Sequence, residues 1–168
     1  IQMDVHVNDV EYNYTRVQEL LSQSLSENPD IIVLPETWNT GFYPSKDLIN
    51  IADRNGERTQ SLLSTFAKKH NVNIVGGSVA VAKNDVVFNT SYAYNREGTL
   101  VGEYSKMHGF SPAKEDQYFA GGTHTTHFEL DGIPCSTVIC YDIRFPELVR
   151  MAALPNTELL FVPAQIAI

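Results

Sequence analysis

Two short runs, Ile31 to Leu34 and Leu159 to Val162, are apolar at every position. A strand with one wet face alternates apolar and polar residues, so unbroken runs of this length read as strands covered on both faces. Layers must therefore lie above and below the sheet that holds them, and the remaining chain has to supply those layers.

After an opening strand at Gln2 to Val5, Asn8 and Glu11 have the spacing of a capping box, which satisfies the free amide donors of a helix start. Tyr14, Val17, Leu20, Leu21 and Leu25 then recur at helical spacing, and Asn28 with Pro29 stops the helix. A second helix is expected from Glu57 to His70, with Leu62, Leu63, Phe66 and Ala67 on its buried side. Three strands follow, Val72 to Ala82, Val86 to Tyr94 and Thr99 to Tyr104, separated by the polar turns Lys83-Asn84-Asp85 and Arg96-Glu97-Gly98. They read as a meander. Asp131-Gly132 is a tight hairpin turn between His127 to Leu130 and Ile133 to Ile139. Pro146 opens a helix running to about Leu154, which Pro155 and Asn156 end. Strands alternate with helices at both ends around the meander, so the class is α/β with a mixed sheet flanked by helices. With no repeat, low-complexity stretch or linker, residues 1–168 read as a single domain.

The 168 residues, 43% of them hydrophobic, hold enough apolar material for a substantial core. Twelve basic against twenty acidic side chains give a net charge of -8, and the only adjacent cations are Lys68 and Lys69. That distribution excludes nucleic acid as an expected partner, because backbone binding needs a clustered basic face. No apolar run approaches the roughly 18 residues of a membrane span, so no membrane association is expected and a cytoplasmic location is the default. Cys135 and Cys140 lie five positions apart on what reads as one strand, about 16 Å, against a disulfide limit of about 7 Å. Free thiols fit a reducing compartment. The start at Ile1 and the stop at Ile168, directly after a strand-like run, suggest part of a longer chain.

Three polar residues stand at strand exits, where active sites of α/β sheets gather. Cys140 follows the run Ser136 to Ile139 and precedes Pro146 by six residues, so its thiol is expected at an exposed strand-to-helix turn that favours the thiolate. The competing reading is an ordinary small buried residue, which suits Cys135 well. Glu36 leaves the strand Ile31 to Leu34 between Pro35 and the aromatic residues Trp38 and Phe42. It reads as a general base held against apolar walls, or else as a solvated loop carboxylate. Lys106 follows the strand Thr99 to Tyr104 and is either a surface lysine or a fixed ammonium for an oxyanion. His124 and His127, three apart in an extended segment, point to opposite faces, and no further ligand completes a metal site. Gly76-Gly77 and Gly121-Gly122 lack the lysine and spacing of a phosphate loop.

At these three places the sequence resembles the nitrilase superfamily of carbon-nitrogen hydrolases, whose members use a glutamate, a lysine and a cysteine in this chain order. The matching stretches are IIVLPETWNTGF around Glu36, YSKMHGF around Lys106 and STVICYDIRFPELVR around Cys140, and the likeness runs from QMDV at the start to VPAQ near the end. PETWNTGF and CYDIRFPEL look most like the ω-amidase and Nit-type branch, which acts on monoamides of dicarboxylic acids. The resemblance implies that Glu115 is a second glutamate positioning the lysine and substrate, and that the backbone amide of Tyr141 shares the oxyanion with Lys106. It implies a four-layer αββα sandwich, incomplete here at its C-terminal end, no metal or organic cofactor, and a homodimer joined through helices near the nucleophile. Family chains are longer, and the aromatic residue that usually follows the PAQ of VPAQ is Ile166 here. Arg144, four residues after the nucleophile, is a candidate for a substrate carboxylate, or else ties down the turn through backbone carbonyls or Glu147. An N-carbamoyl compound, a simple aliphatic amide or a nitrile are rival substrates, and a non-catalytic binding protein on the same scaffold is the rival class.

Overall fold

A computed structural model describes residues 1–42, 45–154 and 156–166. In chain order the elements are α1 (Val10–Ser24), β1 (Ile31–Val33), α2 (Leu48–Ile51), β2 (Asp53–Arg54), α3 (Glu57–His70), β3 (Asn73–Val75), β4 (Val79–Lys83), β5 (Val86–Tyr94), β6 (Leu100–Ser105), β7 (His127–Leu130), β8 (Ile133–Thr137), α4 (Pro146–Ala153) and β9 (Leu159–Phe161). Among the described residues no helix is long and apolar enough to cross a membrane.

Two sheets form. In the first, β1 and β3 run parallel, β5 pairs antiparallel with β3, β4 and β6, and β2 runs parallel to β4 at the far edge. In the second, β7 and β8 make a hairpin and β9 lies parallel to β8. Asp131 and Gly132 both have positive φ, 51° and 80°, which the tight turn between β7 and β8 requires.

Alternation along β1 and β3 decides the layering. Ile32 and Ile74 point to a core shared with Tyr14, Val17 and Leu21 of α1 and Leu63 and Phe66 of α3. Ile31, Val33 and Val75 point the other way, against Phe128, Leu130 and Cys135 of the second sheet. Leu148 and Ala152 of α4 cover that sheet's far side with Val138. The order is therefore helices, sheet, sheet, helix, and the apolar run at β1 is apolar because each of its faces meets a different core.

Several boundaries differ from the sequence reading, each for a local reason. Gln2 to Val5 forms no strand: the amino group of Ile1 donates to Val33 O at 2.8 Å, and Ile1, Met3 and Val5 pack on the α1/α3 core. Asn8 is not the cap of α1, because it occupies a left-handed turn at φ 61° and donates its N–H to Thr40 O. Asp9 caps instead, accepting from Tyr12 N at 3.1 Å. The expected strand Val72 to Ala82 is split into β3 and β4 at Gly76-Gly77-Ser78. Gly77 has φ +61°, and a Cβ there would fall on the Pro35 carbonyl, so only glycine lets the break pass behind the β1 exit. The strand expected to reach Ile139 ends at Thr137. Leu154 terminates α4, and the helix stop read at Pro155 lies outside the described residues.

Candidate active site

The break between β3 and β4 builds the first wall of the site. Ser78 donates its N–H to Pro35 O, accepts from Thr37 N through its hydroxyl at 3.0 Å, and accepts from Trp38 N through its carbonyl. Asn39 exchanges two further hydrogen bonds with the backbone of Ala80. Glu36 is thus set at the β1 exit by a backbone that cannot slide. Its surroundings differ from the expected apolar walls: Trp38 turns into the α1/α3 core, edge-on to Tyr14, with its indole N–H on Gly76 O. The fully buried carboxylate instead meets donors, Lys106 Nζ at 2.8 Å and Asn89 Nδ2 at 3.1 Å on Oε1, and Gln165 N at 3.0 Å on Oε2.

Lys106 is not a surface lysine. It follows β6 directly, its N–H on Asn89 O and its carbonyl accepting from Gly122 N, and its side chain is buried. The ammonium reaches Glu36 Oε1 and both oxygens of Glu115, at 3.0 and 2.8 Å. Burial alone lowers a lysine, but the two carboxylates outweigh it and hold Lys106 above its ordinary value. Glu115 begins a short 3-10 turn and is itself fixed by Asn89 Nδ2 at 3.0 Å and Phe110 N at 2.8 Å.

Cys140 opens a 3-10 turn, Cys140–Arg144, with its N–H on Pro163 O. Its φ of 45° is strained for a residue with a side chain, and strain of this kind collects at functional sites. The thiol is half-buried and feels the charge of the Glu36 carboxylate. Burial first, then the Glu36 carboxylate, push the thiol up to about 12, against a smaller opposite pull from Lys106. The resting thiol is therefore neutral, contrary to the thiolate expected at an open turn. Cys135 lies buried between the sheets.

The structure thus brings together Glu36, Lys106, Glu115 and Cys140. Tyr141 follows Cys140 in the same turn, its ring edge-on to Phe110 at 5.1 Å, and Phe110 in turn faces Phe42 at 6.2 Å. Arg144 is exposed, its guanidinium 5.7 Å from the Tyr141 ring centre. Among the described residues it forms no hydrogen bond or ion pair, so the turn is not tied down through it. His124 and His127 are exposed, and no group of three or more metal-ligating side chains occurs among the described residues. Sequence reasoning missed Asn89, Asp142 and Gln165. The signal for Asn89 was available: Asn89, Thr90 and Ser91 are three polar residues in a strand interior, and all three are buried.

Chemically, a neutral thiol near a carboxylate that an ammonium also holds is equipped to move one proton off sulfur while a negative charge develops nearby.

Comparison with known proteins adds to this geometry. The profile of the family described as Carbon-nitrogen hydrolase matches residues 1–167. A 2-oxoglutaramate amidase of Bacillus subtilis (strain 168) is 41% identical over 165 residues, covering 98% of this chain and 63% of that protein. An Omega-amidase NIT2 of Danio rerio is 32% identical over 174 residues, covering 96% of this chain and 61% of that protein. The chain thus spans less than two thirds of the length of these curated relatives. A solved amidase from Nesterenkonia sp. superposes with a TM-score of 0.86 at 22% identity, covering 99% of this chain and 64% of that one, which shows a shared fold.

Proposed function

The chain belongs to the carbon-nitrogen hydrolase family, and from that premise we propose that it hydrolyses the amide bond of small monoamides carrying a distal carboxylate, releasing ammonia. The observation that carries this reading is the position of the buried Glu36 carboxylate, hydrogen-bonded to Lys106 and near enough to Cys140 for its charge to raise the thiol.

In the proposed reaction Glu36 takes the thiol proton as Cys140 Sγ bonds to the amide carbon. Lys106 Nζ and the Tyr141 N–H hold the oxyanion, each supplying roughly 3 kcal/mol. The oxyanion collapses, the C–N bond breaks, and Glu36 returns the proton to the departing nitrogen, giving ammonia and a thioester. Water then gives a proton to Glu36 and its oxygen to the acyl carbon. Cys140 leaves as thiolate and recovers that proton, so amide and water become acid and ammonia with the enzyme unchanged. No metal or organic cofactor enters the scheme.

Arg144 supports the acidic substrate: it is a guanidinium without an ion pair among the described residues, in the same turn as the nucleophile. The names of the Bacillus and Danio relatives point the same way. The exposed Ile143, Met151 and Leu154 on and beside α4 support a homodimer through this face. A cytoplasmic setting belongs to the same proposal.

The test is ammonia release from matched ω-amides, their neutral methyl esters, N-carbamoyl compounds, aliphatic amides and nitriles. Acidic ω-amides are expected to be cleaved far faster, and Arg144→Lys to erode that preference. Equal rates on charged and neutral amides would remove the ω-amide reading and leave the cysteine chemistry standing, whereas no ammonia from any compound would remove both.

A further inference from the structure

We infer that Asn89 is a positioning residue of this site, a neutral donor that holds both carboxylates in place when Lys106 turns one of its N–H groups toward the oxyanion. The inference rests on the proposed hydrolase chemistry, and the geometry that points to it is specific. Asn89 Nδ2 donates to Glu36 Oε1 at 3.1 Å and to Glu115 Oε1 at 3.0 Å. Lys106 Nζ donates to the same two oxygens, at 2.8 and 3.0 Å, and to Glu115 Oε2. One ammonium and one amide therefore bridge the same pair of oxygens from two sides.

The charges explain why a second bridge is needed. Two carboxylates share one ammonium, so their oxygens also need neutral donors, because a buried acceptor left without one is costly. An ammonium has three N–H groups, and its three contacts here are all to carboxylate oxygens. Holding an oxyanion requires Lys106 to release one of them, and Asn89 keeps a donor on Glu36 Oε1 or on Glu115 Oε1, whichever the ammonium gives up.

The fold places Asn89 for this. It pairs with Ala80 on β4 and accepts the Lys106 N–H at 2.9 Å on its other side, so the amide is fixed to the backbone of the residue it assists. Its Oδ1 is buried and has no hydrogen-bond partner among the described residues, so the side chain is placed for its donors, with its acceptor left idle.

The experiment compares wild type, Asn89→Ala, Asn89→Ser and Asn89→Asp in the intact protein. It follows kcat and KM across pH, alkylation of Cys140 by iodoacetamide read by peptide mass, and thermal midpoint. In Asn89→Ala, which loses both hydrogen bonds to carboxylates, kcat is expected to fall roughly ten- to a hundredfold, with KM little changed. The acid-side fall of both turnover and alkylation is expected to move to higher pH, further in Asn89→Asp and less in Asn89→Ser, which keeps one donor. Unmoved acid limbs in variants that lose activity only in proportion to folded protein would overturn the inference, as would wild-type kcat in Asn89→Asp. Alkylation needs only the thiol and its base, so it tests Asn89 even if no amide proves to be a substrate.

Discussion

The phenol of Tyr104 and the carboxylate of Asp142 meet at 2.7 Å, both fully buried, and their contact joins the strand that delivers Lys106 to the turn that delivers Cys140. Tyr104 lies two residues before Lys106. Asp142, two residues after Cys140, also accepts from Ile139 N at 3.1 Å and from His108 through its N–H and ring Nδ1, both at 2.9 Å. His108 in turn stacks on Phe145 at 3.6 Å, at the start of α4. Burial first, and then the Asp142 charge, hold the phenol far above the ordinary tyrosine range, so it remains a donor at every working pH.

Replacing Asp142 by alanine leaves these donors buried without an acceptor. The expected cost is about 3 kcal/mol or more, seen as a lower denaturant midpoint with unchanged slope, together with a large loss of activity. Tyr104→Phe removes one donor and should cost about 1–2 kcal/mol. Equal stability of Asp142→Ala and wild type would show that the brace carries no weight.

Cys140→Ala is expected to abolish ammonia release. Cys135→Ala removes packing between the sheets and the thiol's bond to Ile133 O at 3.2 Å, and should cost about 1 kcal/mol of stability while leaving turnover near wild type. Substantial release by Cys140→Ala would sink the assignment of the nucleophile.

Titration of the thiol by thiolate absorbance should show Cys140 ionising near 12 in the folded protein, against an ordinary value of 9.0. The folded state therefore holds this proton more tightly than the unfolded chain. The stability this contributes is complete below pH 9.0 and drains away as pH rises toward about 12. Glu36→Gln removes the carboxylate that helps raise the thiol, so its titration should move down even as turnover is lost. A thiol still ionising near 12 in Glu36→Gln would mean that burial alone sets it.

Gly77→Ala introduces a Cβ onto the Pro35 carbonyl at a backbone conformation of φ +61°. The strained backbone costs about 1–2 kcal/mol and the clash adds to it, so a total of about 3 kcal/mol is expected. Because Pro35 directly precedes Glu36, kcat should fall in the fraction that still folds. Full activity per folded molecule would mean that Glu36 tolerates movement of its backbone.

The sequence pattern carried the α/β class, the two-faced run at β1, the hairpin at Asp131-Gly132 and the strand exits at Glu36 and Lys106, because each is written in neighbouring residues. The split between β3 and β4 was missed since Gly76-Gly77 was weighed only as a phosphate loop, and its need for a positive φ arises from Pro35, far away in sequence. Asn8 lost the cap to Asp9 because Thr40 claims its N–H. Asn89 and Gln165 went unread for a related reason: a polar side chain in a strand or a backbone amide in a loop acquires its meaning from a partner 53 or 129 residues away. The apolar walls expected around Glu36 failed on direction, since Trp38 is a neighbour in sequence that faces the opposite core.

The backbone contacts of the segment after β9 carry a consequence for biosynthesis. Pro163 accepts the Cys140 N–H and Gln165 donates to Glu36, so the nucleophile and its base acquire their final setting only through residues made after both of them. A ribosome-bound chain that has exposed Cys140 but not Pro163 and Gln165 bears a thiol not yet held in its folded setting, open to any passing oxidant or electrophile. The pairing of β9 with β8 and the turn from Pro163 to Gln165 thus fix the nucleophile and its base together, so a growing chain is most open to thiol damage before that segment emerges.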